Sequence, residues 1–185
     1  RVTLVSTPSA NLRLRSGVAP FDAVRRAGLT YAIGLDGSGF DDDQDIWREM
    51  RLLWLLHGGR EIEPRITAGG LFGAAIRRGA EVVGQPGGED LVVINYAALT
   101  EETIFDDVDE ASVILGRMTA RHVRDLYVAG RQLVSGGRLI TTDHDAARRE
   151  LVGQARAAVG KLEVERGNAR FLSDVVRRHY RETYP

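Results

Sequence analysis

Short apolar runs alternate with stretches of helical spacing along the first part of the chain. Residues 2–6 and 30–35 are apolar and rich in β-branched side chains, which predicts two strands. Between them a helix is predicted to begin at Pro20 and to end at Gly28. A strand, a helix and a second strand within about thirty-five residues form a βαβ unit, so we expect the two strands to be parallel.

The pattern continues downstream with longer helices and with strands that are closer together. It predicts helices over about 44–57 and 66–78, a strand over 91–94, a helix over 108–118, a hairpin over 123–135, and two helices from about 144 to 183 broken near Gly160 or Gly167. Residues 7–11 are predicted to form a turn, because Pro8 and Asn11 interrupt a strand. The whole pattern predicts an α/β fold.

Composition and charge narrow the classes of molecule that the protein can bind. The chain has 185 residues, with 25 Lys and Arg against 26 Asp and Glu, which excludes a globally basic nucleic-acid binder. Its densest apolar run, Leu52–Leu56, is far shorter than the ~18 residues of a membrane span. It has no Cys, which excludes disulfides and thiolate metal ligands. We therefore expect a cytoplasmic protein with no nucleic-acid or membrane partner.

Asp36 is the first candidate for chemistry. It follows the second predicted strand and precedes Gly37-Ser38-Gly39. In an α/β barrel the loops after the strands line the mouth, where a carboxylate can bind a metal or accept a proton from water. An ordinary Asp-Gly turn explains the same residues, and the spacing alone leaves both interpretations open.

The acidic run from Asp41 to Asp45 suggests calcium at first sight. An EF-hand needs Gly at its sixth position and Glu at its twelfth, but counting from Asp41 these positions are Ile46 and Leu52. We therefore interpret the run, Asp41 included, as carboxylates that cap the free N–H groups of the following helix.

The remaining sequence contains no complete catalytic or ligand motif. The four histidines form no close ligand pair; they are His57, His122, His144 and His179. Neither a G-x-S-x-G elbow, a P-loop nor a G-x-G-x-x-G loop is present.

Several segments, taken in order, carry a family resemblance. They are residues 7–17, Ala32–Gly37, Asp45–Arg51, 66–93 and 123–139. Together they resemble the deaminase and chlorohydrolase branch of the amidohydrolase superfamily, over nearly the whole chain. Members of that branch carry a Pro-x-Ser-Asn-Leu-type segment after the seventh barrel strand, a Gly-x-Asp-Gly-type segment after the eighth, and then a helix bearing Glu-Met-Arg.

The resemblance implies an architecture in three parts. Residues 1–80 would be the last part of a (β/α)8 TIM-like barrel, residues 88–140 would supply strands to a small β-sandwich, and residues 141–185 would form C-terminal helices. Because the chain opens on Arg1 and directly on a predicted strand, we expect further residues to precede it.

The resemblance also implies a mechanism for the complete protein. Asp36 would bind one divalent metal, Zn or Fe, and help to move the proton of the attacking water. The metal-bound hydroxide would attack a ring carbon bearing an amino or chloro group on a small heterocycle. Ser9, Asn11 and Ser38 would line the pocket, and the complete protein would form a homodimer.

Two departures from the family pattern matter. The family's histidine ligands come from earlier strands, so the 185-residue chain alone is predicted to hold no metal. Leu35 stands where the family usually has Thr, which leaves the substrate open. The alternative hypothesis is a non-catalytic remnant that binds or assembles without the metal-binding histidines.

Overall fold

The computed structural model describes residues 2–39, 43–58, 65–85, 88 and 90–183. Its first sheet consists of two parallel strands, β1 (Thr3–Ser6) and β2 (Thr30–Ile33), paired residue by residue along their length. Helix α2 (Phe21–Arg26) connects them. The predicted βαβ unit and its parallel pairing are therefore confirmed.

A short helix, α1 (Pro8–Arg13), directly follows β1. The prediction of a turn over residues 7–11 is wrong. Pro8 occupies the first helical turn, where its fixed φ suits the helix and its missing N–H would have had no intrahelical partner. The same proline that ends the strand therefore starts a helix.

Helix α3 (Ile46–His57) follows the acidic run. Asp45 is its N-cap, and the carboxylate accepts a hydrogen bond of 2.9 Å from the Trp47 N–H. The capping interpretation is thus confirmed for Asp45, while Asp41 lies outside the described residues. Met50 and Leu53 are buried on the inner face of the helix.

The predicted helix over 66–78 is present and longer, and its middle is wider than an α-helix. It consists of α4 (Ala68–Phe72), a π-helical segment (Gly73–Arg78) and α5 (Gly79–Val82). The main core packs α2, β2, α3 and α4 together with a later helix, α7 (Glu110–Arg117). Its buried residues are Phe21, Ile33, Met50, Leu53, Ile66, Ala68, Leu71, Ala74 and Leu115.

A second sheet has four strands in the order β3-β4-β5-β6. The strands are β3 (Leu91–Ile94), β4 (Val123–Val128), β5 (Arg131–Ser135) and β6 (Arg138–Leu139). Between β3 and β4 lie α6 (Tyr96–Thr100), α7 (Glu110–Arg117) and a 3₁₀ turn (Ala120–His122). Pairing is antiparallel from β3 to β4 and from β4 to β5, which confirms the predicted hairpin.

The hairpin turn has the geometry that a two-residue connection requires. Ala129 and Gly130 have φ of 48° and 74°, the positive values of a type I′ turn. The Asp90 carboxylate accepts a hydrogen bond of 2.9 Å from the Ala129 N–H. A side chain from the segment before β3 therefore holds the turn between β4 and β5.

Residues 139–185 form a compact unit separate from residues 1–138. This unit contains α8 (His144–Ala158), a 3₁₀ turn (Val159–Leu162) and α9 (Glu163–Thr183). The break between the helices falls at Gly160, one of the two predicted positions. None of the helices in the described part of the chain is long and apolar enough to cross a membrane.

Candidate functional site

The four residues proposed from the sequence follow the ends of two adjacent strands. Ser9 and Asn11 come after β1, and Asp36 and Ser38 come after β2. Because the strands are parallel, their carboxyl ends lie at the same edge of the sheet. The topology therefore brings the two segments to one edge, as a shared pocket requires.

Asp36 has a backbone conformation that few residues adopt. Its φ is 64°, in the left-handed region that Asp tolerates better than most side chains. Its Oδ1 accepts a hydrogen bond of 2.8 Å from the Gly37 N–H, and the side chain is exposed. This geometry suits an Asp-Gly turn, and the carboxylate keeps lone pairs for a further ligand.

Gly34 allows the two segments to approach each other. Its N–H donates to the Ser6 carbonyl at 2.9 Å, which extends the pairing one residue past β2. A Cβ at this position would lie 2.9 Å from Val5 Cγ1 and 3.3 Å from Thr7 Cγ2. A side chain here would push against β1 and the start of the segment that carries Ser9.

The sequence analysis gave Glu49 no role beyond its place in the Glu-Met-Arg stretch of the family resemblance, yet it contacts one of the proposed site residues. Its Oε2 accepts a hydrogen bond of 3.0 Å from the Ser9 N–H, and its side chain is fully buried. The available signal was its position, since Glu49 lies on the same helical stripe as Ile46, Met50 and Leu53. An acidic residue on an apolar stripe indicates a buried partner.

Arg51, two residues further along α3, fixes the other side of this helix. Its Nε donates to the Leu115 carbonyl at 3.0 Å and its Nη2 to the Met118 carbonyl at 2.7 Å. Both carbonyls belong to the C-terminal end of α7, where the helix leaves its carbonyls without intrahelical partners. Glu49 and Arg51 therefore connect α3 to α1 and to α7.

Asn11 and His57 line one small cavity, together with Ser6 and Leu53. His57 also lines a larger cavity of about 340 Å³, which none of the four proposed site residues lines. Burial lowers the pKa of His57 below its ordinary value, and the nearby Asp22 carboxylate opposes this effect. The larger cavity is therefore a feature separate from the strand ends.

A metal requires more ligands than this part of the protein supplies. Among the described residues, no group of three or more His, Cys, Asp or Glu side chains could hold an ion. A catalytic zinc takes about three protein ligands, and Asp36 offers one carboxylate. The described residues of this chain do not form a complete metal site.

Comparison with curated proteins identifies deaminases. The chain is 29% identical over 163 residues to a 5-methylthioadenosine/S-adenosylhomocysteine deaminase of Halobacterium salinarum, an alignment that covers 83% of this chain and 37% of that protein. The chain thus spans little more than a third of the length of this relative. No family model matches the chain.

Comparison with solved structures finds a similar fold in a deaminase and in a chlorohydrolase. An adenosine deaminase from Xanthomonas campestris, crystallised with bound zinc, matches with a TM-score of 0.72 and 26% identity, covering 88% of this chain and 38% of that one. A zinc complex of atrazine chlorohydrolase from Arthrobacter aurescens matches with a TM-score of 0.66 and 21% identity, covering 82% and 35%. The resemblance to the deaminase and chlorohydrolase branch of the amidohydrolase superfamily is confirmed by these comparisons.

Proposed function

We propose that this chain is the C-terminal part of a metal-dependent hydrolase that deaminates a small amino-substituted heterocycle. The observation that carries the proposal is the position of Asp36 at the carboxyl end of β2, beside the segment that follows β1. Support comes from the similarity to a deaminase over 83% of the chain. Deamination is preferred to dechlorination because the curated relatives are deaminases, whereas the 21% identity to the chlorohydrolase supports only the fold.

The proposed architecture assigns residues 1–80 to the last part of a (β/α)8 barrel. The parallel β1-β2 pair, its connecting helix α2 and the following α3 support this assignment, because they repeat the strand–helix unit of such barrels. Residues 88–140 would be the strand-rich part of a small β-sandwich, and residues 141–185 would be C-terminal helices.

Asp36 is proposed as one ligand of the metal. A bound Zn or Fe supplies acidified water for attack on the ring carbon. Asp36 would offer it a carboxylate oxygen, since among the described residues only Oδ1 is engaged, by the Gly37 N–H. Ser9, Asn11 and Ser38 are proposed to contact the heterocycle from the same sheet edge. The remaining metal ligands are assigned to no described residue of this chain.

The test is an Asp36→Asn substitution in the full-length protein. The variant should keep its fold, because the side chain is exposed, and should lose about 10²–10⁴ in turnover of an adenosine-type nucleoside. Metal content, measured by elemental analysis, should fall in the same variant.

Asp45→Asn is the matched control. It removes a carboxylate nine positions further along the sequence but keeps a side-chain oxygen for the Trp47 N–H, so turnover should stay close to that of the parent. The assignment of Asp36 is wrong if Asp36→Asn retains parental turnover, or if the control is the inactive variant. A full-length parent that hydrolyses no heterocycle would favour the non-catalytic alternative.

A further inference from the structure

Glu49 is an acidic side chain that lies in the buried core. It is 0% exposed, although Glu side chains are almost never fully buried unless they are paired. Its neighbours on the inner face of α3, Met50 and Leu53, are apolar and buried. Among the described residues, one hydrogen bond compensates for this burial, the one that Oε2 accepts from the Ser9 N–H at 3.0 Å.

Helix α1 lacks a cap of its own. The side chain of its N-cap residue, Thr7, makes no capping hydrogen bond, and Pro8 has no N–H. Ser9 is therefore the first residue inside the helix with an N–H to satisfy, and Glu49 accepts it from 40 positions away. A carboxylate at this end of a helix is also favoured by the helix dipole.

The second carboxylate oxygen of Glu49 takes no part in the contact with Ser9. Glu49 Oε1 is buried and has no hydrogen-bond partner among the described residues, and Arg48 Nη2 lies 4.0 Å from it. Ser9 Oγ is likewise buried with no hydrogen-bond partner in the described part of the chain. The carboxylate is thus held at α1 through one oxygen, and it fixes the backbone of Ser9 rather than its side chain.

We propose that Glu49 is a positioning residue, which fixes the start of α1 against α3 and so sets the position of Ser9 and Asn11 relative to the sheet edge at which β2 ends. The inference rests on the proposed function only for the role of Ser9 and Asn11 toward a substrate. Glu49 itself touches no reacting atom and acts through the Ser9 N–H.

The first test is independent of activity and uses the full-length protein. Amide hydrogen exchange is compared between the parent, Glu49→Gln and Glu49→Ala. In Glu49→Ala the Ser9 amide should exchange about ten-fold faster, because the acceptor that Glu49 supplies is gone. Glu49→Gln keeps a side-chain oxygen, so its Ser9 amide should exchange within about three-fold of the parent. The Trp47 amide, which Asp45 caps, should be unchanged in both and reports that α3 is intact.

The second test measures turnover by the full-length protein. Loss of substrate positioning removes binding that is equal in the ground state and the transition state, so Glu49→Ala should raise KM about ten-fold with kcat nearly unchanged. Glu49→Gln should restore KM, and metal content should match the parent in both variants. Glu110→Ala, which removes an exposed glutamate from the first turn of α7, should leave both constants unchanged.

The outcomes separate the two proposals. A parent that turns over no heterocycle contradicts the proposed function, and the exchange of the Ser9 amide still decides whether Glu49 positions α1. The positioning role is wrong if the Ser9 amide exchanges at the parental rate in Glu49→Ala, if Gln behaves like Ala, or if the loss appears in kcat instead of KM.

Discussion

His57 shows how the fold changes the chemistry of a single side chain. It is the last residue of α3, half-buried, with its ring centroid 4.5 Å from that of Phe21. Burial lowers its pKa because the charged imidazolium loses water, while the Asp22 carboxylate acts in the opposite direction. The folded state therefore favours the neutral ring.

This lowered pKa predicts a dependence of stability on pH. The folded pKa is below the unfolded value of 6.5, so the unfolded state binds more protons as the pH falls through that value, and the folded state loses stability. His57→Phe keeps an aromatic ring against Phe21 and removes the titration. Between about pH 7.5 and about pH 5.5, urea unfolding should show a smaller loss of stability for the variant than for the parent.

The control is His144→Gln at the exposed start of α8, where the parental pH dependence should persist. Equal pH dependence in the parent and in His57→Phe would contradict the prediction.

Individual residues differ in how far the sequence could predict their roles. Asp36 at a strand end and Asp45 before a helix follow from local pattern, because strand ends and caps are read from neighbouring residues. The Ser9–Glu49 bond joins residues 40 positions apart, and no local pattern predicts that pairing. The buried environment of His57 likewise depends on Phe21, which comes from another helix.

At the scale of elements, the apolar pattern predicted most of the long helices and strands. It failed at α1, where Pro8 was interpreted as a strand breaker although it also starts helices. It also missed α6, whose five residues are too few for a helical period to show. The π-helical segment is a distortion of a predicted helix, and hydrophobic spacing does not distinguish it.

The approach of β1 and β2 predicts the effect of one substitution. Gly34→Ala would place a Cβ 2.9 Å from Val5 Cγ1, and Val5 is a stiff β-branched residue that cannot easily rotate away. We expect Gly34→Ala to lower the free energy of unfolding by about 1–3 kcal/mol, measured by urea unfolding.

Gly69→Ala is the control, because a Cβ there meets nothing within 4 Å inside α4, and alanine should stabilise the helix by up to about 1 kcal/mol. Unchanged stability in Gly34→Ala would show that the strand ends are not tightly packed.

At the scale of the whole molecule, apolar surface remains uncovered. In the described part of the chain, β1 and β2 pair only with each other, so each has one edge without a neighbouring strand. Val5 on β1 is 47% exposed, and the helices of residues 139–185 expose many large apolar side chains. The family resemblance indicated that further strands should pair with β1 and β2. The residues of the two strands did not, because the pattern within a strand does not show how many strands pair with it. Parallel sheets with open edges and faces are rare, since their strands are normally buried on both faces.

These open edges predict that the isolated 185-residue chain associates with itself. Light scattering coupled to size-exclusion chromatography should give a mass well above 20.3 kDa, rising with concentration.

Val5→Lys places a charge on β1 and should reduce the association, because an edge lysine opposes strand pairing between copies. Phe171→Lys makes the same change of charge on the exposed side of α9 and should reduce it less, since a helix offers no unpaired backbone groups to a second copy. If the parent elutes as a monomer at every concentration, the open edges do not drive association and the prediction is wrong. If Phe171→Lys reduces the association more than Val5→Lys, the helical face and not the sheet edge is responsible.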